Sequence, residues 1–152
     1  MLKSLTAGLA FTALLAGSAL AETHEVKMLN KDPESGERMV FQPAVLQIQP
    51  GDTVKFVPTD KGHNSQVIDE MMPDGGTEWK GKLNKEIEVT FETEGTFGYQ
   101  CQPHYATGMV GLILVGDATS NMEEAKAAKH RGKAKQRFEE LFAKAEEMMA
   151  SN

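Results

Sequence analysis

The chain of 152 residues carries 22 acidic against 16 basic side chains, a net charge of −6, and it contains one cysteine among nine methionines. That acidic balance argues against generic binding to a nucleic-acid backbone, and a lone cysteine excludes a disulfide within the chain. Residues 1–21 join Lys3 to an apolar run and end on Ala19-Leu20-Ala21, the pattern of a secretory signal peptide cleaved after Ala21.

The apolar run from Leu5 to Leu15 is short for a bilayer span and no basic stop-transfer cluster follows it, so no membrane association is expected after cleavage. Residues 22–152 have the length of one domain. Residues 117–152 hold seven acids and seven bases, so the negative surplus belongs to residues 22–116. In an oxidising compartment a free exposed thiol is prone to oxidation. Burial or ligation of Cys101 would protect it.

Val26 and Met28 alternate with polar residues, as in a half-buried strand. A polar Pro/Gly-bearing turn over residues 31–37 follows, and Met39-Val40-Phe41 restarts the strand pattern. Leu46 and Ile48, the turn Pro50-Gly51-Asp52, then Val54 and Phe56 predict a hairpin. His63 closes the loop Pro58-Thr59-Asp60-Lys61-Gly62, and Met72 to Gly76 is turn-rich. Ile87, Val89 and Phe91 share one face of a strand whose other face is polar. After the Glu94-Gly95 turn, Phe97, Tyr99 and Cys101 share a face at period two, which aims the cysteine inward. The apolar run Val110 to Val115 suits a central strand. Short strands with regular turns predict an all-β, two-sheet antiparallel sandwich.

The tail changes period. Asn121 precedes Met122-Glu123-Glu124 as a helix N-cap would, and Gly132 separates two helices. Phe138, Leu141, Phe142, Ala145, Met148 and Met149 form an amphipathic stripe, expected to pack against the sandwich.

The chemistry concentrates in Tyr99 to Met109, where Cys101, His104 and Met109 offer a thiolate, an imidazole and a thioether on one short loop. His63, far upstream, is the fourth candidate. A cysteine and two histidines with a weak thioether form the blue-copper electron-transfer set, which suits both oxidation states of copper with little rearrangement. Taken singly, Cys101 reads as a buried thiol, His104 as a loop histidine, Met109 as core and His63 as a turn residue; their joint spacing in an exported β chain favours a metal. Zinc fits less well because methionine is not among its usual ligands. A cysteine hydrolase built on Cys101 and a histidine base lacks an identifiable third group. Asn64 is placed to brace the two loops, and His24 and His130 read as solvated.

Several segments carry a resemblance: Met28 to Lys31, Met39 to Ala44, Pro50 to Val54, Pro58 to Asn64, and Cys101-x-Pro-His104-Tyr-x-x-Gly-Met109-Val-Gly. On them the chain resembles the cupredoxins, small blue copper proteins, and most closely the pseudoazurin family. The resemblance covers residues 22–152. It implies a Greek-key cupredoxin sandwich over 22–116, with helices over 117–152 packed on the same domain. It implies one copper ion held by His63, Cys101, His104 and Met109, Asn64 supporting them and Met39 lying near the ligand-loop histidine. It further implies a monomeric periplasmic electron carrier, not an enzyme, that serves redox proteins such as copper nitrite reductase and cytochromes c. Thr107 and Gln100 stand where the family often has methionine and lysine. Lys31, Lys61, Lys80 and Lys82 are candidates for a basic ring around the docking patch. The alternative is a copper carrier or storage protein with no shuttle role.

Overall fold

A computed structural model describes residues 20–151. The predicted leader lies outside them except for Leu20 and Ala21, which are exposed. Eight strands form two four-stranded sheets among these residues. The first, in the order β2-β1-β4-β6, uses β1 (Thr23–Lys31), β2 (Arg38–Gln42), β4 (Thr53–Val57) and β6 (Ile87–Thr90). The second, in the order β3-β8-β7-β5, uses β3 (Val45–Ile48), β8 (Val110–Val115), β7 (Gly95–Gln100) and β5 (Gln66–Val67). Two helices follow, α1 (Met122–Ala127) and α2 (Lys133–Ala150). Among the described residues no helix is long and apolar enough to cross a membrane.

The two-sheet sandwich with a helical extension is as expected, but the sheets are mixed and not wholly antiparallel. β1 runs parallel to β4 and β3 parallel to β8. The expected hairpin over residues 46–56 is also corrected. β3 and β4 belong to different sheets, and the turn at Pro50-Gly51-Asp52 carries the chain across the sandwich, with the Gly51 N–H donating to the Phe91 carbonyl at 2.7 Å. Period-two alternation says which side of a strand is buried and nothing about its neighbour. Two strands facing one core from opposite sheets therefore read like a hairpin.

Between the sheets lies an inner core of Val26, Met28, Phe41, Val54, Phe56, Val89, Phe97, Tyr99 and Ile113 among others. Its aromatic rings meet edge-on or tilted, as with Phe41 and Tyr99 at 4.6 Å between centroids, or stacked, as with Phe56 and Trp79 at 5.7 Å. The outer face of the second sheet is covered by the helices. Val110, Leu112 and Leu114 pack there with Met122, Ala125, Phe138, Leu141, Phe142 and Ala145, so the predicted stripe of α2 is buried, with Met148 and Met149 half-buried at its end. Asn121 stands at the N-cap position of α1 as expected, but its side chain makes no capping hydrogen bond there. Its side chain instead exchanges hydrogen bonds with β7, accepting from Thr96 N–H at 2.7 Å and donating to the Thr96 carbonyl at 2.9 Å. That pair satisfies a backbone edge inside the fold, which a residue preceding two glutamates does not announce.

Candidate metal centre

Cys101 follows β7 directly and is fully buried in the inner core beside Phe97 and Tyr99, as period two demands. The next residues, Gln102–Thr107, wind into a single 3₁₀ stretch with Pro103 in its first turn, where a missing N–H costs nothing. Gly108, at φ 93°, ends the turn in the left-handed region, which favours glycine because it has no Cβ. The loop closes on itself. The Met109 N–H donates to the His104 carbonyl at 3.1 Å, and the Cys101 N–H donates to the Met109 carbonyl at 3.0 Å. Met109 is fully buried in the same core as Cys101.

His63 comes from the β4–β5 connection and is also fully buried. Its loop is pinned twice by Asn84: the Gly62 N–H donates to Asn84 Oδ1 at 2.6 Å, and the Asn84 N–H donates to the His63 carbonyl at 2.9 Å. The three donor atoms converge. Cys101 Sγ lies 3.7 Å from His63 Nδ1 and 3.5 Å from His104 Nδ1, and the two Nδ1 atoms are 3.2 Å apart. It is the single cluster of this kind found among the described residues.

Outer hydrogen bonds orient this set. His63 Nε2 meets the acceptor Asn30 Oδ1 at 2.9 Å. An acceptor there requires Nε2 to carry the proton, which leaves Nδ1 with a bare lone pair turned toward the sulfur. Asn64 ties the two ligand loops, donating to the Gly81 carbonyl at 3.1 Å and accepting from Gln102 N–H at 2.8 Å. Burial pushes the Cys101 thiol above its ordinary pKa, opposed by the backbone N–H groups of Asn64 and His104. Burial, and then the facing His104 ring, hold His63 below its ordinary value.

These residues fit a small thiophilic metal ion. Two ring nitrogens and a sulfur face one another across 3.2 to 3.7 Å, closer together than three donors to no common centre need be. A point in their plane lies about 2 Å from each, close to the distances of roughly 2.0 to 2.3 Å that nitrogen and sulfur donors keep from a metal. The burial gradient is also specific: His63 and Cys101 are sealed and His104 is half-buried, the member of the cluster nearest solvent.

The structure brings His63, Cys101 and His104 together and sets Met109 in the core at the loop's end. Sequence reasoning identified Asn64 and missed Asn30 and Asn84. Nothing in local periodicity distinguishes those two, since each acts on a residue more than twenty positions away. His130 is not solvated as expected. It is half-buried, its Nδ1 lies 2.9 Å from Tyr105 Oη, and its ring lies tilted against Phe138 at 4.3 Å between centroids. His24 is partly buried too, paired with Asp52 at 3.1 Å.

A sandwich of mixed sheets with a Cys-His-His cluster at one end defines a small copper protein. Residues 26–116 match the family of copper binding proteins, plastocyanin/azurin family, and the chain belongs to it. Within that family its likeness is to pseudoazurins. The pseudoazurin of Paracoccus pantotrophus is 47% identical over 136 residues, covering 90% of this chain and 92% of that one. The crystal structure of pseudoazurin from Methylobacterium extorquens AM1 superposes with a TM-score of 0.76 at 46% identity, covering 81% of this chain and 98% of that one. A Sinorhizobium pseudoazurin structure gives 0.80 at 48% identity, covering 82% and 97%. The fold is the cupredoxin fold, the cofactor is copper, and the protein is an electron carrier that works with redox partners, not an enzyme.

Proposed function

We propose that His63, Cys101, His104 and Met109 hold one copper ion and that the chain, exported and cleaved after Ala21, shuttles electrons in the periplasm. The observation that carries this reading is the convergence of two ring nitrogens and a sulfur from two loops onto one point. Bound copper supplies a one-electron couple at modest rearrangement. The residues supply rigidity: Asn30 fixes the tautomer of His63, Asn64 and Asn84 lock its loop, and Pro103 and Gly108 shape the other. Cys101 gives up its thiol proton on loading, so uptake releases a proton. The arrangement of two cores around β8 supports treating residues 22–116 and the helices of 117–152 as one folding unit.

His104 is the partly exposed member of the set and therefore marks the face where a partner is met. Exposed Lys31, Lys61, Lys80 and Lys82, with Leu83 half exposed, support docking of a redox protein with an acidic rim. Family resemblance points to copper nitrite reductase or a cytochrome c as that protein.

The test is optical and electrochemical. The oxidised, copper-loaded protein is expected to show an intense visible charge-transfer band and a reversible one-electron wave. Its transfer rate to an acidic partner should fall as ionic strength rises. A band that survives Cys101→Ser would refute the ligand assignment. Rapid surrender of copper to a chelator without a reversible wave would instead identify a copper carrier.

A further inference from the structure

The outer side of the ligand loop does not face solvent alone: it rests on the segment that joins α1 to α2. Three contacts in a row make this junction. Tyr105 Oη and His130 Nδ1 are 2.9 Å apart. Gly132, at φ 61°, approaches the loop backbone so closely that a Cβ there would come within 2.7 Å of the Ala106 carbonyl oxygen. A Cβ on Gly108 would in turn stand 3.4 Å from that of Lys133. Tyr105, Ala106 and Gly108 all lie between His104 and Met109, so the junction meets the loop throughout its ligand-bearing half.

The far side of the junction is anchored. The His130 ring lies against Phe138 at 4.3 Å and 33°, and Phe138 belongs to the outer core with Leu141, Phe142 and Ala145. His130 Nε2 is buried with no hydrogen-bond partner. Burying a polar nitrogen without a partner is unfavourable, and an aliphatic side chain would fill that place without the penalty. The one polar group this imidazole does satisfy is the tyrosine beside His104.

We propose that Tyr105 and His130 are positioning residues for the copper site, through which the C-terminal helices brace the loop that carries His104 and Met109. The inference rests on the ligand reading given above. The bond limits outward swing of the loop, because moving Tyr105 requires moving His130, and moving His130 disturbs a ring packed on α2. The tyrosine ring and the close Gly132 approach set the loop's distance from the helix, and the hydrogen bond sets its register.

The experiment compares Tyr105→Phe, His130→Leu and His130→Asn with the parent chain. Asparagine keeps a hydrogen-bonding atom near the Nδ1 position and leucine does not. In the copper-free protein, amide hydrogen exchange over residues 104–109 is expected to quicken about tenfold in Tyr105→Phe and His130→Leu and to stay near the parent rate in His130→Asn. In the copper-loaded protein the first two variants should release copper to a chelator roughly tenfold faster, the lower end of what outer-shell changes do. Their reduction potential should shift as well, with His130→Asn again close to the parent. If exchange, release and potential all stay at parental values while only the unfolding midpoint drops, the pair is a fold staple and the proposal fails. If Tyr105→Phe does not fold, leucine against asparagine at position 130 decides by the same readouts. A parent protein without the visible band would overturn the ligand reading, and exchange in the copper-free protein would still decide whether the junction holds the loop.

Discussion

Alternate residues of β8 enter two different cores. Ile113 and Val115 point between the sheets, into a cluster rich in aromatic rings that also contains Cys101 and Met109. Val110, Leu112 and Leu114 point the other way, into a mainly aliphatic cluster closed by α1 and α2. The inner core is crowded with rings of restricted geometry, from Phe41 and Tyr99 to Trp79 and Phe91, and it fixes where the sulfur lies. The outer core attaches the helices and touches the ligand loop only at its back. One central strand thus separates the residues that set the sulfur from those that attach the helices, and substitutions deep in either core should differ in kind.

The sharpest break is Cys101→Ser, which should abolish the visible band of the copper-loaded protein while leaving far-ultraviolet dichroism intact, because the change is nearly isosteric. Leu141→Ala on the other side should do the reverse. It removes a buried side chain of α2 that is 4% exposed, so unfolding by denaturant should show a loss of about 2 to 5 kcal/mol. Its visible spectrum should match the parent, and a bleached spectrum would mean that the two cores are not separable.

Asn64→Ala lies between these extremes. It strips the Gln102 N–H and the Gly81 carbonyl of their partner, and leaving buried groups unpaired costs about 1 to 3 kcal/mol. Copper release to a chelator should quicken by roughly 10- to 100-fold, which stopped-flow absorbance can follow.

The smallest effect is expected at Asp52, at the other end of β4 from the His63 loop. Its carboxyl is held below the usual range by the Glu22 and Gln49 N–H groups first and by His24 second. A depressed carboxylate contributes stability that is fully present above the ordinary carboxylate range and is lost as pH falls through the folded-state value. Asp52→Asn should therefore flatten part of the acid limb of a stability profile and leave the visible band unchanged. A profile with an unaltered acid limb would remove Asp52 from the account of acid unfolding.

Much of this was legible in one dimension because the signals were local. The inward aim of Cys101 follows from the period of Phe97, Tyr99 and Cys101, and the buried face of α2 follows from the spacing of Phe138, Leu141, Phe142 and Ala145. The loop spacing from Cys101 to His104 was legible as part of a metal-binding cluster for the same reason, with Met109 as a further candidate. The hairpin over residues 46–56 was misread because alternation carries no record of which sheet a strand joins. Asn121 sits at the cap position while its side chain clamps a strand, and His130 looked solvated and is packed on Phe138.

Residue order by itself determined the strand faces, the amphipathic helix, the chemistry of the candidate donors and the spacing of Cys101 and His104, since each depends on side-chain type and on backbone periods of two or 3.6. Tertiary structure alone decided that β1 pairs parallel with β4 and that His63 meets a sulfur 38 positions away. It alone decided that Asn30 orients that ring and that His130 reaches Tyr105. Contacts of that kind arise when strands from two sheets are closed over one core, and no local pattern encodes the closure.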